Sequence, residues 1–192
     1  FAHEFNLEFF ATPWDEESLK FLIDIGMPCI KIASASLTDL NLISESAASG
    51  LPVIISTGMS TMDNIVAAAK ILEGHQHVIA HSTSTYPCPV EELNLSMIDV
   101  LKKQFNCIVG YSGHESGVST TVAAVVLGAK YIERHLTLDR AMWGSDHAAS
   151  LEPQGFTRLV RDIRIFEHAI GDGVKKLYPS EIPYLEKLRR IK

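Results

Sequence analysis

Short apolar runs rich in β-branched residues alternate along the chain with longer amphipathic stretches. The apolar runs are LEFFATP, CIKIAS, PVIISTG, HVIAHSTS, CIVGYSG and YIERHLT. This alternation predicts βα units, and therefore a parallel sheet covered by helices. The spacing supports the prediction, because the strand starts expected after the first run recur at intervals of 24, 24, 30 and 24 residues, at Cys29, Val53, His77, Cys107 and Tyr131.

Repeated βα units fit either an open doubly wound sheet or a TIM (β/α)8 barrel. No GxGxxG motif follows any of the runs, and polar residues end every predicted strand rather than a single switch point. That distribution favours the barrel, as one partial barrel domain over residues 1–192. A barrel has eight units in about 250 residues. Since we count six, we expect the first two βα units to be lacking from this chain.

Charge and hydropathy exclude two classes of partner. The 192 residues carry a net charge of -6 without any block of Lys and Arg, so the chain lacks the basic surface expected of a nucleic-acid-binding protein. No apolar run approaches the roughly 20 residues that a membrane-spanning helix needs. We therefore expect neither nucleic acid nor a membrane as a partner, and a cytoplasmic location.

Polar residues lie at the carboxyl end of each predicted strand, which is the catalytic face of barrel enzymes. They are Thr12, Lys31, Ser34, Ser36, Ser56, Thr57, His81, Ser82, Ser84, Tyr86, Ser112, His114, Glu133 and His135. A serine or threonine in this position commonly caps the next helix instead. Lys31 is more informative, because it interrupts an apolar strand where an unpaired ammonium group is costly. It predicts a pocket for phosphate or carboxylate.

His114 and His135 end two successive predicted strands. Neighbouring parallel strands lie about 4.8 Å apart, so the two imidazoles can converge on one metal ion. Two histidines with oxygen co-ligands suit Mn²⁺, Fe²⁺ or Zn²⁺. The alternative interpretation is that each histidine caps a strand or packs against a loop.

The loop DRAMWGSDHAASLEP follows the strand of His135 and has the composition of a binding loop. Its carboxylate Asp146 could complete a metal shell or receive a proton. Alternatively, Asp146 forms an Asx turn while Trp143 folds onto the barrel.

Seven motifs carry a family resemblance over nearly the whole chain. They are FFATPWD, IKIAS, PVIISTGMSTMD, HSTSTYPCP, GYSGHESG, GAKYIERHLTLD and GSDHAASLEP. In this order they resemble the sialic acid synthases (N-acetylneuraminate synthases). The resemblance implies a (β/α)8 barrel, usually followed by a small antifreeze-like domain that covers the partner's active site in a domain-swapped homodimer. We expect that C-terminal domain to be absent from this chain.

The resemblance also implies an activity. Members condense phosphoenolpyruvate with an N-acetylated sugar aldehyde, typically N-acetylmannosamine, to form a nine-carbon 2-keto sugar acid and phosphate. His114 and His135 match the ligands of a divalent metal, Mn²⁺ or Mg²⁺. Lys31 and Asp146 match catalytic positions. The residues that match substrate-binding positions are Thr12, Lys31, Ser34, Ser36, Ser56, Ser84, Tyr86, Ser112 and Asp146.

Ser36 departs from the family pattern, because many relatives carry an acidic residue there that is thought to contact the sugar. The departure leaves pseudaminic and legionaminic acid synthases as alternatives, whereas GYSGHE argues against a deoxyoctulosonic acid synthase. A metal-dependent barrel hydrolase and a non-catalytic scaffold or regulatory binding module are alternatives of other classes.

Overall fold

The computed structural model describes residues 1–191 and contains a five-stranded parallel sheet whose strands lie in sequence order. The strands are β1 (Ile30–Ile32), β2 (Val53–Ser56), β3 (His77–Ser82), β4 (Ile108–Gly113) and β5 (Tyr131–Arg134). Three strands begin at the predicted residue. The other two begin one residue later, at Ile30 and Ile108, which confirms the βα repeat.

Within residues 1–191 there are seven α-helices, of which one precedes β1 and the others lie between the strands or after them. They are α1 (Glu16–Asp24), α2 (Leu40–Ala48), α3 (Met62–Ile71), α4 (Met97–Gln104), α5 (Ser119–Val126), α6 (Pro153–Ala169) and α7 (Ile182–Leu188). Apolar side chains of the helices and strands form one buried core, with Leu42, Ile65 and Leu101 among its helical members and Ile32 and Ile55 among its strand members. No helix within residues 1–191 is both long and apolar enough to cross a membrane.

The sheet is strongly curled. Strands β1 and β5 are separated by three other strands, so in a flat sheet they would lie about 19 Å apart. Nevertheless, Lys31 on β1 places its Nζ atom 3.5 Å from Oε2 of Glu133 on β5. Side chains from the two ends of the sheet can meet only if its concave face encloses them. The curvature is that of a partial TIM barrel.

Two terminal segments complete the comparison with the sequence. Residues 7–13 were predicted to form the first of six strands but contain no strand. The side chains of Leu7 and Phe9 are 61% and 60% exposed. A β-prone run becomes a strand only when another strand pairs with it, and this run forms no ladder with β1. The stretch after α6 includes the short helix α7 and, within the described residues, adds no strand.

Gly110 lies opposite Tyr131 in the β4–β5 register, where the two backbones leave no room for a side chain. A Cβ atom at Gly110 would come within 2.9 Å of the carbonyl oxygen of Tyr131. We therefore expect Gly110→Ala to lower the free energy of unfolding by about 1–3 kcal/mol, the usual cost of overpacking. Urea denaturation measures the difference.

The matched control is Gly155→Ala in helix α6. There an added Cβ would meet only Leu151 side-chain atoms, at 3.7 Å. Alanine is favoured over glycine inside a helix by about 0.5–1 kcal/mol, so this variant should be neutral or more stable. Equal stability of both variants would contradict the close approach of β4 and β5.

Candidate functional site

Lys31 anchors a polar cluster at the carboxyl ends of the strands. Its side chain is buried, with 7% relative exposure, and its Nζ atom donates a hydrogen bond of 2.8 Å to Oγ of Ser56. Burial lowers the pKa of Lys31, although the nearby Glu133 carboxylate opposes this shift. The site thus holds a desolvated ammonium group, as the interruption of the apolar strand suggested.

Glu133 faces Lys31 from the other end of the sheet. Ser112 donates a hydrogen bond of 2.7 Å to its Oε1 atom, and the Tyr131 hydroxyl donates to its Oε2 atom. Burial alone would raise the pKa of Glu133, but the Lys31 ammonium and these hydroxyls hold it below its usual value. The sequence placed Glu133 on the rim without giving it a role, because its contact with Lys31 depends on the curvature of the sheet.

Gly58, just after β2, lies between two serine hydroxyls. Its backbone N–H donates a hydrogen bond of 3.0 Å to Oγ of Ser34. A Cβ atom at this position would collide with the side chains of both Ser34 and Ser84. The Ser84 hydroxyl is buried and has no hydrogen-bond partner among the described residues. Buried hydroxyls normally have a partner, so this one is free for a ligand.

His114 and His135 face each other, with ring centroids 5.1 Å apart. The ring of Tyr86 packs against both, at 4.2 Å and 5.7 Å. Nδ1 of His114 lies 2.7 Å from the carbonyl oxygen of Thr83. Because a carbonyl only accepts, Nδ1 carries the proton and Nε2 presents a lone pair. Burial lowers the pKa of His114 and so favours the neutral form, which binds metals.

Asp146 contacts His135, with 3.3 Å between Oδ2 and the ring Nδ1 atom. Its other carboxylate oxygen accepts a hydrogen bond of 2.8 Å from Ser145. Within residues 1–191, no third His, Cys, Asp or Glu joins the two histidines as a preformed metal cluster. Trp143 is fully exposed, so the expectation that it folds onto the barrel is wrong.

The structure therefore brings together most of the predicted residues in two groups. One surrounds Lys31 and Gly58 and contains Ser34, Ser56, Ser84, Ser112 and Glu133. The other consists of Tyr86, His114, His135 and Asp146. Thr12 is half-buried and Ser36 is buried, and neither side chain makes a hydrogen bond within the described part of the chain. Their proposed contact with substrate stays a prediction.

Comparison with known proteins agrees with the resemblance in the motifs. The profile of the NeuB family matches residues 1–175. The N-acetylneuraminate-9-phosphate synthase of Homo sapiens is 40% identical over 191 residues, covering 98% of this chain and 53% of that protein. The N,N'-diacetyllegionaminic acid synthase of Campylobacter jejuni is 39% identical over 194 residues, covering 98% of this chain and 58% of that protein.

A solved structure supports the same relationship. The N-acetylneuraminic acid (sialic acid) synthetase of Leptospira borgpetersenii, crystallised with citrate, superimposes with a TM-score of 0.88 at 35% identity. The match covers 99% of this chain and 68% of that one. The chain thus spans little more than half the length of the curated relatives described above.

Proposed function

The chain belongs to the NeuB family, and from that membership we propose that the full-length protein is an enzyme of the sialic acid synthase type. It condenses phosphoenolpyruvate with an N-acetylated sugar aldehyde, with N-acetylmannosamine as the first candidate. The products are a nine-carbon 2-keto sugar acid and phosphate. One observation carries the proposal: the buried Lys31 lies at the same end of the strands, the carboxyl end, as the facing pair His114 and His135.

The first group of residues suits the phosphate and carboxylate of phosphoenolpyruvate. Lys31 supplies a buried positive charge, and Ser56 is already its hydrogen-bond partner. The space beside Gly58 is bordered by hydroxyls, including the unpartnered Ser84 Oγ. Cations and hydroxyl donors fixed in a buried site bind anions strongly because they need little reorganisation.

The second group suits a divalent metal, Mn²⁺ or Mg²⁺. His114 and His135 would provide two nitrogen ligands, and the proton on Nδ1 of His114 leaves its Nε2 atom free for the ion. Two protein ligands from residues 1–191 would leave room for substrate oxygen and water on the ion. When bound, the ion would supply Lewis-acid polarisation of the sugar aldehyde.

The carbon–carbon bond forms between C3 of phosphoenolpyruvate and the aldehyde carbon, which leaves positive character at C2. The aldehyde oxygen takes up a proton and becomes a hydroxyl. Water then adds to C2 and gives up a proton. The tetrahedral intermediate breaks the C2–O bond to the phosphate, and the proton of its C2 hydroxyl leaves with the phosphate as the 2-keto group forms. During these steps Lys31 and the hydroxyls hold the phosphate and carboxylate of phosphoenolpyruvate in a fixed orientation. Asp146, beside His135, is positioned to receive a proton at a carboxylate oxygen.

A legionaminic or pseudaminic acid synthase is the second candidate. Ser36 supports it, because this neutral residue changes the polarity of the position where many relatives carry an acid. The relatives are consistent with it as well, since they include the C. jejuni legionaminic acid synthase and a C. jejuni pseudaminic acid synthase, 36% identical over 167 residues.

Phosphate release by the full-length protein tests the proposal and identifies the sugar. Phosphoenolpyruvate and Mn²⁺ are combined with N-acetylmannosamine, its 6-phosphate or a bacillosamine-type aldehyde in parallel assays. We expect release that requires one of these sugars and stops when a chelator removes the metal. Absence of release with every sugar would contradict the proposal and favour a hydrolase or a binding module.

A further inference from the structure

The residues adjacent to the two histidines form a buried ion pair on the opposite side of their strands. Glu115 follows His114, and Arg134 precedes His135. Nη1 of Arg134 lies 3.3 Å from Oε1 of Glu115, and both side chains are completely buried. Each histidine is thus one residue away from a member of the pair.

The Glu115 carboxylate has a full set of donors. Tyr111 donates a hydrogen bond of 2.9 Å to Oε2, and Thr120 and Thr121 donate bonds of 2.8 Å to Oε1. Burial alone would raise the pKa of Glu115, but Arg134 and the threonine hydroxyls keep it lowered. These donors therefore hold the buried carboxylate in one orientation.

The Arg134 guanidinium also fixes the backbone on both sides of the candidate metal site. It donates to the carbonyl oxygens of Glu115 at 2.6 Å and Gly117 at 2.8 Å, both in the segment just after His114. A longer bond of 3.4 Å reaches the carbonyl of Ala149, in the loop that carries Asp146. One planar group on β5 thereby fixes the position of the segment after β4 relative to the loop after β5.

We propose that the Glu115–Arg134 pair is a positioning device that sets the separation and orientation of His114 and His135, and through them the affinity for a divalent metal. In this proposal neither member is itself a metal ligand. The inference rests on the proposed function, because it requires that the two histidines bind a metal.

The arrangement of the bonds favours positioning over a purely stabilising role. A buried ion pair contributes little net stability compared with well-packed apolar side chains. An apolar side chain at position 134, next to His135, could not, however, donate hydrogen bonds to the carbonyls of Glu115 and Gly117. The planar fork of arginine does so, whereas lysine offers only a point charge.

Arg134→Lys tests the proposal, since it keeps the charge but removes the fork. In the full-length protein, the Co²⁺ dissociation constant is measured by competition with a chelating dye, and circular dichroism verifies that the variant is folded. We expect about 10-fold weaker Co²⁺ binding, as for other residues that orient metal ligands. Ser46→Ala is the control, because the buried Ser46 hydroxyl donates to the carbonyl of Leu42 within its own helix α2. It should leave Co²⁺ affinity unchanged.

A milder variant covers the case in which Arg134→Lys does not fold. Thr120→Val removes one donor to Glu115 from a half-buried position and should weaken Co²⁺ binding by about 3-fold, a fraction of the usual effect of such partners. Co²⁺ affinity equal to the wild type in the folded variants, whatever their melting temperature, would show that the pair is structural only.

The same titrations separate this inference from the proposed function. If wild-type protein binds Co²⁺ and His114→Ala does not, the metal site stands, and the pair variants alone decide the positioning role. If the wild type does not bind Co²⁺, or if His114→Ala binds it equally well, both the metal site and the positioning role are refuted.

Discussion

Replacing His114 or His135 with alanine is expected to reduce sugar-dependent phosphate release from phosphoenolpyruvate by at least about 100-fold, at saturating Mn²⁺. Each imidazole supplies one of the two nitrogen ligands, and within residues 1–191 no third His, Cys, Asp or Glu forms a preformed cluster with them. Loss of one fixed electrostatic group in an active site commonly costs factors of 10²–10³ in turnover. Initial rates on the full-length protein provide the measurement.

His77→Ala is the matched control for both histidine variants. His77 is the first residue of strand β3 and so lies at the amino ends of the strands, opposite the candidate site. Its Nδ1 atom contacts the carbonyl of His75. Its removal should leave turnover unchanged. Wild-type activity in His114→Ala and His135→Ala would refute the metal assignment, even if the enzyme proved to be a synthase.

Replacing Lys31 with alanine is expected to raise KM for phosphoenolpyruvate and to lower turnover, so that kcat/KM falls by about 10²–10³-fold. Two effects combine in this loss. The pocket loses its buried cation, and the carboxylate of Glu133 loses the ammonium group 3.5 Å away. Steady-state kinetics with each substrate varied in turn would detect the change.

Lys103→Ala, on the exposed face of α4, controls for the loss of a positive charge, because Lys103 pairs with Asp99 on the protein surface, away from the candidate site. Its kinetics should match the wild type. If Lys31→Ala changed KM for the sugar alone, Lys31 would belong to the aldehyde site rather than to the phosphoenolpyruvate site.

The sheet could be predicted from the sequence because its signals are local. An apolar run of four to six residues that recurs after each helix specifies a buried parallel strand, and the starts of β2, β3 and β5 were predicted to the residue. The run at residues 7–13 has the same local signal and forms no strand, because pairing is a property of two segments rather than one.

The candidate site was predictable to the extent that it follows from strand ends. His114, His135 and Lys31 were identified because the carboxyl ends of parallel strands share one edge. Glu133 was placed at a strand end without a role, and Arg134 was not identified. Their contacts join β5 to β1 or to the segment after β4, and those distances depend on curvature and loop path rather than on spacing along the chain.

The contact between Lys31 and Glu133 makes the two ends of the sheet electrostatically dependent on each other. An anion that pairs with Lys31 adds negative charge near Glu133 and weakens the attraction that keeps this carboxylate ionised. The pKa of Glu133 then rises. We therefore expect a ligand that binds beside Lys31 on β1 to make the carboxylate on β5 a stronger base.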